Sequence, residues 1–410
     1  MATSGLNEVF RCEVCGSGSL RRALDLGSHP MCDDLVQIGD HRICKTYPID
    51  ILFCDRCVTA HQRFQIPKHE LFPPSYHYRS RQTADVLAGM RQLVAACEDL
   101  YGDLRGKKVL DIGCNDGSLL AIFAERGAKT FGIEPTGAAE DARNRGHRVI
   151  QDFFSEAVAR AFVLEHGSPD VISFTNVFAH IEDLAHVIKA LKIVCSPRTM
   201  IVIENHYFGA ILKKNQFDTF YHEHPRTYSY TSFTFIADQL GMRIAKAEFP
   251  QRYGGNIRVF MTAATEAKRD QWDDLRAQER EYGIQLQNLA ENIERWKAKK
   301  RNQLQREFEE HGKLAAKAFP GRAAIPIKML GLDERMISAV YEKPGSGKIG
   351  HYVPGTRIPV LSDDEFAPGA GPLLNLAWHI SGEIRTYMQE RGYTGRVLDI
   401  ISSEDFAGTS

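Results

Sequence analysis

One stretch constrains this chain more than any other: Val109-Leu110-Asp111-Ile112-Gly113-Cys114-Asn115-Asp116-Gly117-Ser118-Leu119-Leu120. Apolar residues run up to an acid, a turn with two glycines follows, and helix-compatible residues take over from Leu119 to Glu125. That order reads as a parallel strand, a tight turn and a helix N-terminus. Glycine lets the backbone bend sharply and lets a ligand approach without meeting a Cβ, and the helix start presents unpaired N–H groups to whatever sits there. The spacing is Gly-x-x-x-Gly with the polar Asn115 inside it, not the Gly-x-Gly-x-x-Gly of nicotinamide enzymes. About twenty residues on, Phe131-Gly132-Ile133-Glu134-Pro135 ends a second strand on a carboxylate, an offset that suits the two hydroxyls of a ribose. The alternative is an ordinary β-turn-α corner with a stray acid.

At 410 residues the chain exceeds one ordinary core, so two or three domains are expected. It is 43% hydrophobic and 25% charged, as globular chains are, and a formal charge of −1 gives no reason to expect a nucleic-acid partner. Met1 to Arg11 lacks an apolar leader core, and no run approaches the roughly 18 apolar residues of a membrane span, so no membrane association is expected. Nine cysteines, four of them in Cys-x-x-Cys pairs and without a secretion signal, point to a reducing cytoplasm.

Those pairs are Cys12-Glu13-Val14-Cys15 and Cys54-Asp55-Arg56-Cys57. Each suits one metal knuckle, and two knuckles complete a tetrahedral thiolate site for zinc. Four protein ligands leave no place for water, so the expected zinc is structural. The long insert between the pairs is expected to fold as its own small strand set. A redox pair is the rival reading, but neither pair sits in a strand-then-helix pattern. Cys32, Cys44, Cys97, Cys114 and Cys195 are expected to be small buried apolar residues.

A helical period at Val86, Met90, Leu93, Val94 and Cys97 predicts a helix leading into the central domain. Strands are expected at 108–113, 129–134, 147–150, 170–175 and 199–204 with helices between them. That is a doubly wound α/β domain, with its ligand crevice at the strand carboxyl ends. Asn176 and His180 follow the fourth strand and fall on that edge, where His180 serves chemistry or caps the next helix. After the fifth strand comes Asp218-Thr219-Phe220-Tyr221-His222-Glu223-His224-Pro225, which crowds two histidines, a tyrosine and an acid into four positions. A general acid/base site, a structural polar cluster and a metal site all suit those residue types; the metal lacks a clear third ligand. The Gly254-Gly255 pair entering a strand means that backbone passes close to something there.

Residues 266–318 are charged, with a helical stripe at Ile284, Leu286, Leu289, Ile293 and Trp296. One or two long amphipathic helices spanning domains are expected. The heptads do not persist, so a coiled-coil dimer is not, and a monomer is the expected state. The final ninety or so residues, with strand-like pieces at 337–341 and 357–361, suggest a smaller α/β domain without an evident second phosphate loop.

These residues resemble the S-adenosylmethionine-dependent sugar C-methyltransferases that methylate C-3 of nucleotide-linked 4-keto-6-deoxyhexoses. The resemblance lies in Cys12/Cys15/Cys54/Cys57, Leu110 to Gly117, Gly132-Ile133-Glu134-Pro135, Asn176-Val177-Phe178-Ala179-His180, Tyr221-His222-Glu223-His224-Pro225 and Gly254 to Val259. It implies a zinc-binding module over 1–75, a Rossmann-like methyltransferase domain over 76–265, a helical linker over 266–320 and a C-terminal α/β domain over 321–410. Beyond 320 it weakens. Gly321-Arg322-Ala323-Ala324 stands where the family has a glycine-rich, lysine-bearing loop, and Ala377-Trp378-His379 where it has a Pro-Trp-Asn-like turn, although Val353-Pro354-Gly355-Thr356 and Ile358-Pro359 persist.

The implied cofactor is S-adenosylmethionine, held by Asp111, Gly113, Asn115, Gly117, Glu134 and Asn176, with Asp152 and Phe153 near the adenine. The implied acceptor is a nucleotide-linked keto sugar. His224, supported by Tyr221 and Glu223, is expected to remove the C-3 proton, with Tyr221 as the rival base, while Tyr76 and His180 polarise the C-4 oxygen. An O- or N-methyltransferase acting on a sugar or small natural product would use the same cofactor domain without an enolate.

Overall fold

The computed structural model describes residues 5–72, 84–263, 272–367 and 371–407. Tyr76 and its neighbours lie outside these residues. The insert between the cysteine pairs does form its own strand set. Strands β1 (Arg21–Pro30), β2 (Thr46–Cys54) and β3 (Thr59–Gln62) run antiparallel. A fourth strand, Arg226–Thr227, joins this sheet from directly behind the Tyr-His-Glu-His-Pro segment, pairing Arg226 with His61 and Thr227 with Ala60.

Helix α1 (Ala84–Tyr101) buries its expected stripe. Then strands and helices alternate: β4 (Lys108–Ile112), α2 (Ser118–Glu125), β5 (Lys129–Ile133), α3 (Ala138–Asn144), β6 (Arg148–Ile150), α4 (Glu156–His166), β7 (Val171–Thr175), α5 (Leu184–Val194) and β8 (Met200–His206). After α6 (Tyr230–Gln239), strands β9 (Met242–Glu248) and β10 (Asn256–Ala263) complete a seven-stranded sheet of order β9-β10-β8-β7-β4-β5-β6. Strands β4 to β8 are parallel and β10 runs antiparallel to both its neighbours. The order reverses between β4 and β7, which opens the ligand crevice at their carboxyl ends.

Helix α7 (Tyr282–His311) buries Leu286, Leu289, Ile293 and Trp296, but Ile284 is 58% exposed. Two residues from Leu286, it points away from the buried stripe. The helix stops at Gly312, whose φ is +74°. The C-terminal sheet then begins earlier than the expected boundary at 321: its central strand is β11 (Leu314–Lys317), small apolar residues concealed at the end of a charged run. With α8 (Ala324–Leu330), β12 (Ile337–Glu342), β13 (Val360–Ser362), β14 (Leu373–Asn375), α9 (Ser381–Glu390) and β15 (Val397–Asp399), it forms a parallel sheet of order β13-β12-β11-β14-β15. Strand β13 starts after Pro359, which has no N–H to donate to a ladder. The architecture is α/β with three parts, as expected. Among the described residues no helix is long and apolar enough to cross a membrane.

A buried ionic network stiffens the carboxyl edge of the central sheet. Glu204 of β8 pairs with Arg258 Nε at 2.7 Å and Arg252 Nε at 3.0 Å, and accepts from Asn256 Nδ2 at 2.9 Å. Arg252 and Arg258 donate in turn to the carbonyls of Val86 and Gly89 in α1. A side chain at Gly89 would collide with Arg252, so this glycine makes room for the guanidinium. The Gly254-Gly255 pair behaves as expected: a Cβ at either would lie 2.5 Å from Gln216 or Ala210. Removing one member of a buried ion network strands the others without compensation. Glu204→Ala is therefore expected to cost about 3–5 kcal/mol, read as a lowered denaturant midpoint; a midpoint within error of the parent would contradict the network's role.

Candidate functional site

The four cysteines meet. Cys12 Sγ and Cys57 Sγ are 3.3 Å apart, Cys15 Sγ and Cys54 Sγ 3.6 Å, and all four sulfurs lie within 4.8 Å of one another. Sulfurs around a tetrahedral zinc at ~2.3 Å stand roughly 3.8 Å apart, so this donor set fits a closed zinc shell. The knuckles are fastened to the rest of the chain. Ser232 Oγ of α6 donates to the carbonyl of Val58, a residue held at φ +54°, and Gln239 Nε2 donates to that of Val14. Glu13, between the first two ligands, meets the fully buried Arg226 at 2.6 Å. Burial works against its charge, yet Arg226 and His61 hold the Glu13 carboxyl down at about 2.

One large cavity, about 1880 Å³, opens where the three parts of the chain converge. A single small ligand occupies roughly 300–1,000 Å³, so there is room for two. Gly113, Asn115, Glu134, Phe153 and Asn176 line it. Gly113 is at φ +70°, and a Cβ there would sit 2.6 Å from Val177. Glu134 accepts from the N–H of Asn115 at 3.0 Å and from the N–H and hydroxyl of Thr136, which fixes its carboxylate at the cavity wall with lone pairs to spare. These residues fit the nucleoside of the expected cofactor.

Three expected cofactor contacts lie elsewhere. Asp111 is buried under the floor, accepting from Ser173 Oγ at 2.7 Å, and burial pushes its carboxyl up to about 7. Gly117 at φ +74° packs against His147 and Ala142, so it shapes the turn and does not face the cavity. Asp152 is exposed and accepts from the N–H of Phe153.

The other wall carries Tyr221, Glu223, His224 and His180. The ring of His224 is 4.1 Å from that of Tyr221, 4.8 Å from His180 and 5.1 Å from His206. His224 Nδ1 lies 3.0 Å from the Thr219 carbonyl, which can only accept, so Nδ1 carries the proton and Nε2 keeps its lone pair. Burial, with His180 and His206, holds its pKa well below the usual histidine range. Burial and the Glu223 carboxylate push the Tyr221 phenol far up, so it stays protonated. His180 does not cap α5; Asp183 does, through the N–H of His186. The His180 ring instead bonds the Glu223 carbonyl at 2.7 Å, tying the loop after β7 to the Tyr-His-Glu-His segment.

The C-terminal part adds lining residues that the sequence did not mark. Lys343-Pro344-Gly345-Ser346-Gly347-Lys348 follows β12 onto the cavity wall, with Gly345 at φ +87°. Two glycines beside a lysine were the available signal, one strand later than the place where the glycine-rich loop was sought. Arg322, His379 and His206 also line the cavity.

Two outcomes follow. Cys54→Ser is expected to lower bound zinc from one per chain to near none and the melting temperature by about 10 °C or more; metal analysis and a thermal scan check both. Burial holds His180 and His222 neutral down to about 4. Their folded pKa values lie below the unfolded ~6.5, so the unfolded chain takes up protons first as pH falls. Stability should be complete above pH ~6.5 and fall toward pH 4, by up to ~1.4 kcal/mol per histidine per pH unit; a melting temperature flat from pH 7.5 to 5 would contradict this.

Sequence comparison agrees with these parts. Family models match residues 12–72 as a zinc binding domain, 78–247 as a "Methyltransferase domain" and 251–398 as a "C-methyltransferase C-terminal domain". The chain is similar to C-methyltransferase NovU of Streptomyces niveus, 28% identical over 92% of this chain and 91% of that one. Ubiquinone biosynthesis O-methyltransferases of Acinetobacter baumannii are 32% identical over 29% of this chain, which spans about half of their length. A solved magnesium protoporphyrin IX methyltransferase from Synechocystis covers 44% of this chain and 82% of its own, at 16% identity and a TM-score of 0.34. The three matched domains follow one another in the order the residues imply, and the chain is an S-adenosylmethionine-dependent C-methyltransferase with a zinc-binding N-terminal module.

Proposed function

We propose that the enzyme methylates C-3 of a nucleotide-linked 4-keto-6-deoxyhexose through an enolate, with His224 as the base. The observation that carries this is the tether of His224 Nδ1 to the Thr219 carbonyl, which leaves Nε2 as a fixed acceptor in a neutral ring. A carbon beside a ketone becomes nucleophilic only once its proton is taken, and a positioned base contributes ~10²–10⁴-fold. Tyr221 serves as a hydrogen-bond donor beside His224, because its phenol keeps its proton. Glu223 holds His180 by its carbonyl, and His180 thereby keeps the segment in place.

The bound cofactor supplies an electrophilic methyl on a sulfonium. Gly113, Asn115, Glu134, Phe153 and Asn176 would hold it on one wall, and the remaining cavity takes the acceptor. The Lys343–Lys348 loop supports a nucleotide-linked acceptor: glycines expose backbone N–H groups, and two lysines suit a diphosphate. Holding carbanion and methyl together supplies the rest of the rate as proximity.

The test is deuterium uptake at C-3 of such a sugar in D₂O, with S-adenosylhomocysteine in place of the methyl donor. The native enzyme should exchange. His224→Asn, whose amide can keep the bond to Thr219 while losing Nε2, should exchange at least ~100-fold more slowly. Unchanged exchange in the variant would remove His224 as base; methyl transfer to oxygen or nitrogen without exchange would remove the enolate.

A further inference from the structure

The enolate chemistry proposed above also needs a charged partner for the oxygen on which charge develops. Tyr76 lies outside the described residues and His180 is bonded to backbone. Arg322, which the sequence marked only as a departure from the family's text, lies at this place. It is 8% exposed and lines the cavity. Nε meets Asp218 at 3.3 Å, Nη1 donates to Thr219 Oγ1 at 3.2 Å, and Nη2 has no partner among the described residues. A buried guanidinium N–H left without an acceptor is costly, and Arg322 lines the cavity that the proposed acceptor would enter.

Thr219 supplies the geometry. Its carbonyl holds His224 and its hydroxyl holds Arg322, so one residue braces the base and the cation against each other. The second departure comes to the same place. Trp378 donates from Nε1 to Asp218 at 2.8 Å, and the Arg322 guanidinium carbon lies 5.5 Å from its ring centre. Beside them His379 lines the cavity, its Nδ1 also without a partner among the described residues.

We infer that Arg322 is a catalytic residue whose free Nη2 binds the acceptor's carbonyl oxygen and stabilises the enolate. This rests on the enolate chemistry proposed above. The C–H bond breaks, its proton goes to His224 Nε2, and its electron pair becomes the carbon–carbon π bond. The carbonyl π pair moves onto oxygen, against the guanidinium. When the new carbon–carbon bond forms, the oxygen pair returns to the carbonyl, and the sulfur–methyl bond pair leaves with sulfur.

The experiment measures C-3 exchange at saturating keto sugar with S-adenosylhomocysteine present, for native enzyme, Arg322→Lys and Arg322→Met. Lysine keeps a charge for Asp218 and loses the fork; methionine loses the charge. Zinc content and S-adenosylhomocysteine affinity, which Arg322 does not touch, should match the parent. The saturated exchange rate should fall ~10²–10³-fold in the methionine variant, as for loss of an oxyanion donor, and at least ~10-fold in the lysine variant. If the methionine variant fails to fold, the lysine variant decides. Exchange within about threefold of native in a folded variant, or a raised KM at an unchanged saturated rate, overturns the inference. Native enzyme that does not exchange overturns the enolate itself, and Arg322's role with it.

Discussion

The Tyr221–Pro225 segment is held in place by the ion pair between Glu13 and Arg226. Glu13 sits between two cysteines of the zinc shell, and Arg226 lies just behind Tyr221-His222-Glu223-His224-Pro225. A buried pair is stable only when geometry is tight and further hydrogen bonds satisfy both groups. Here Arg226 Nε also donates to Tyr228, and Glu13 accepts from Gln65. The thiolate cluster sets the knuckle, the knuckle sets Glu13, and Arg226–Thr227 is drawn in as a fourth strand of the N-terminal sheet. The four-cysteine cluster is thus linked to the Tyr221–Pro225 segment through Glu13, Arg226 and the backbone of the fourth strand.

The opposite wall depends on Glu204. Its carboxylate neutralises two buried arginines and reaches the loop after β7, because Asn256 bridges Glu204 Oε1 and Asn176 Oδ1. Asn176 itself sits at φ +53°, a conformation asparagine tolerates better than most residues. The wall proposed for the cofactor is therefore built on the rigid edge of the sheet, and the wall proposed for acid/base chemistry on a loop clamped from two sides. Preorganisation of this kind lowers what must be reordered as charge develops.

Between the walls, burial keeps the histidines neutral. His206 is held at about 3 and His180 at about 4, and each raises the cost of charging His224 further. A neutral imidazole with its Nδ1 proton committed is a base over the whole neutral range. The same burial keeps Tyr221 protonated. Two neighbouring groups of different chemistry are thereby held in complementary proton states.

Much of this was determined by the sequence alone. The β4–turn–α2 corner, the parallel core and the four-cysteine shell follow from local spacing, because strand period, glycine turns and knuckles are short-range properties. Gly113, Asn115, Glu134 and His224, picked out from such local patterns, all line the cavity. Only the tertiary structure decided the rest. Asp111 and Gly117 belong to the motif but lie beneath it, since a strand alternates its faces and a turn has an inside. The C-terminal sheet starts at Leu314, hidden behind a charged helix. Arg322, His379 and the Lys343–Lys348 loop are more than ninety residues from Thr219 in the chain, and no local pattern announces that they share its cavity. What brings them there is the packing of the turns at 321–323 and 378–380 against those at 217–219 and 252–254, a long-range condition that spacing along the chain does not encode.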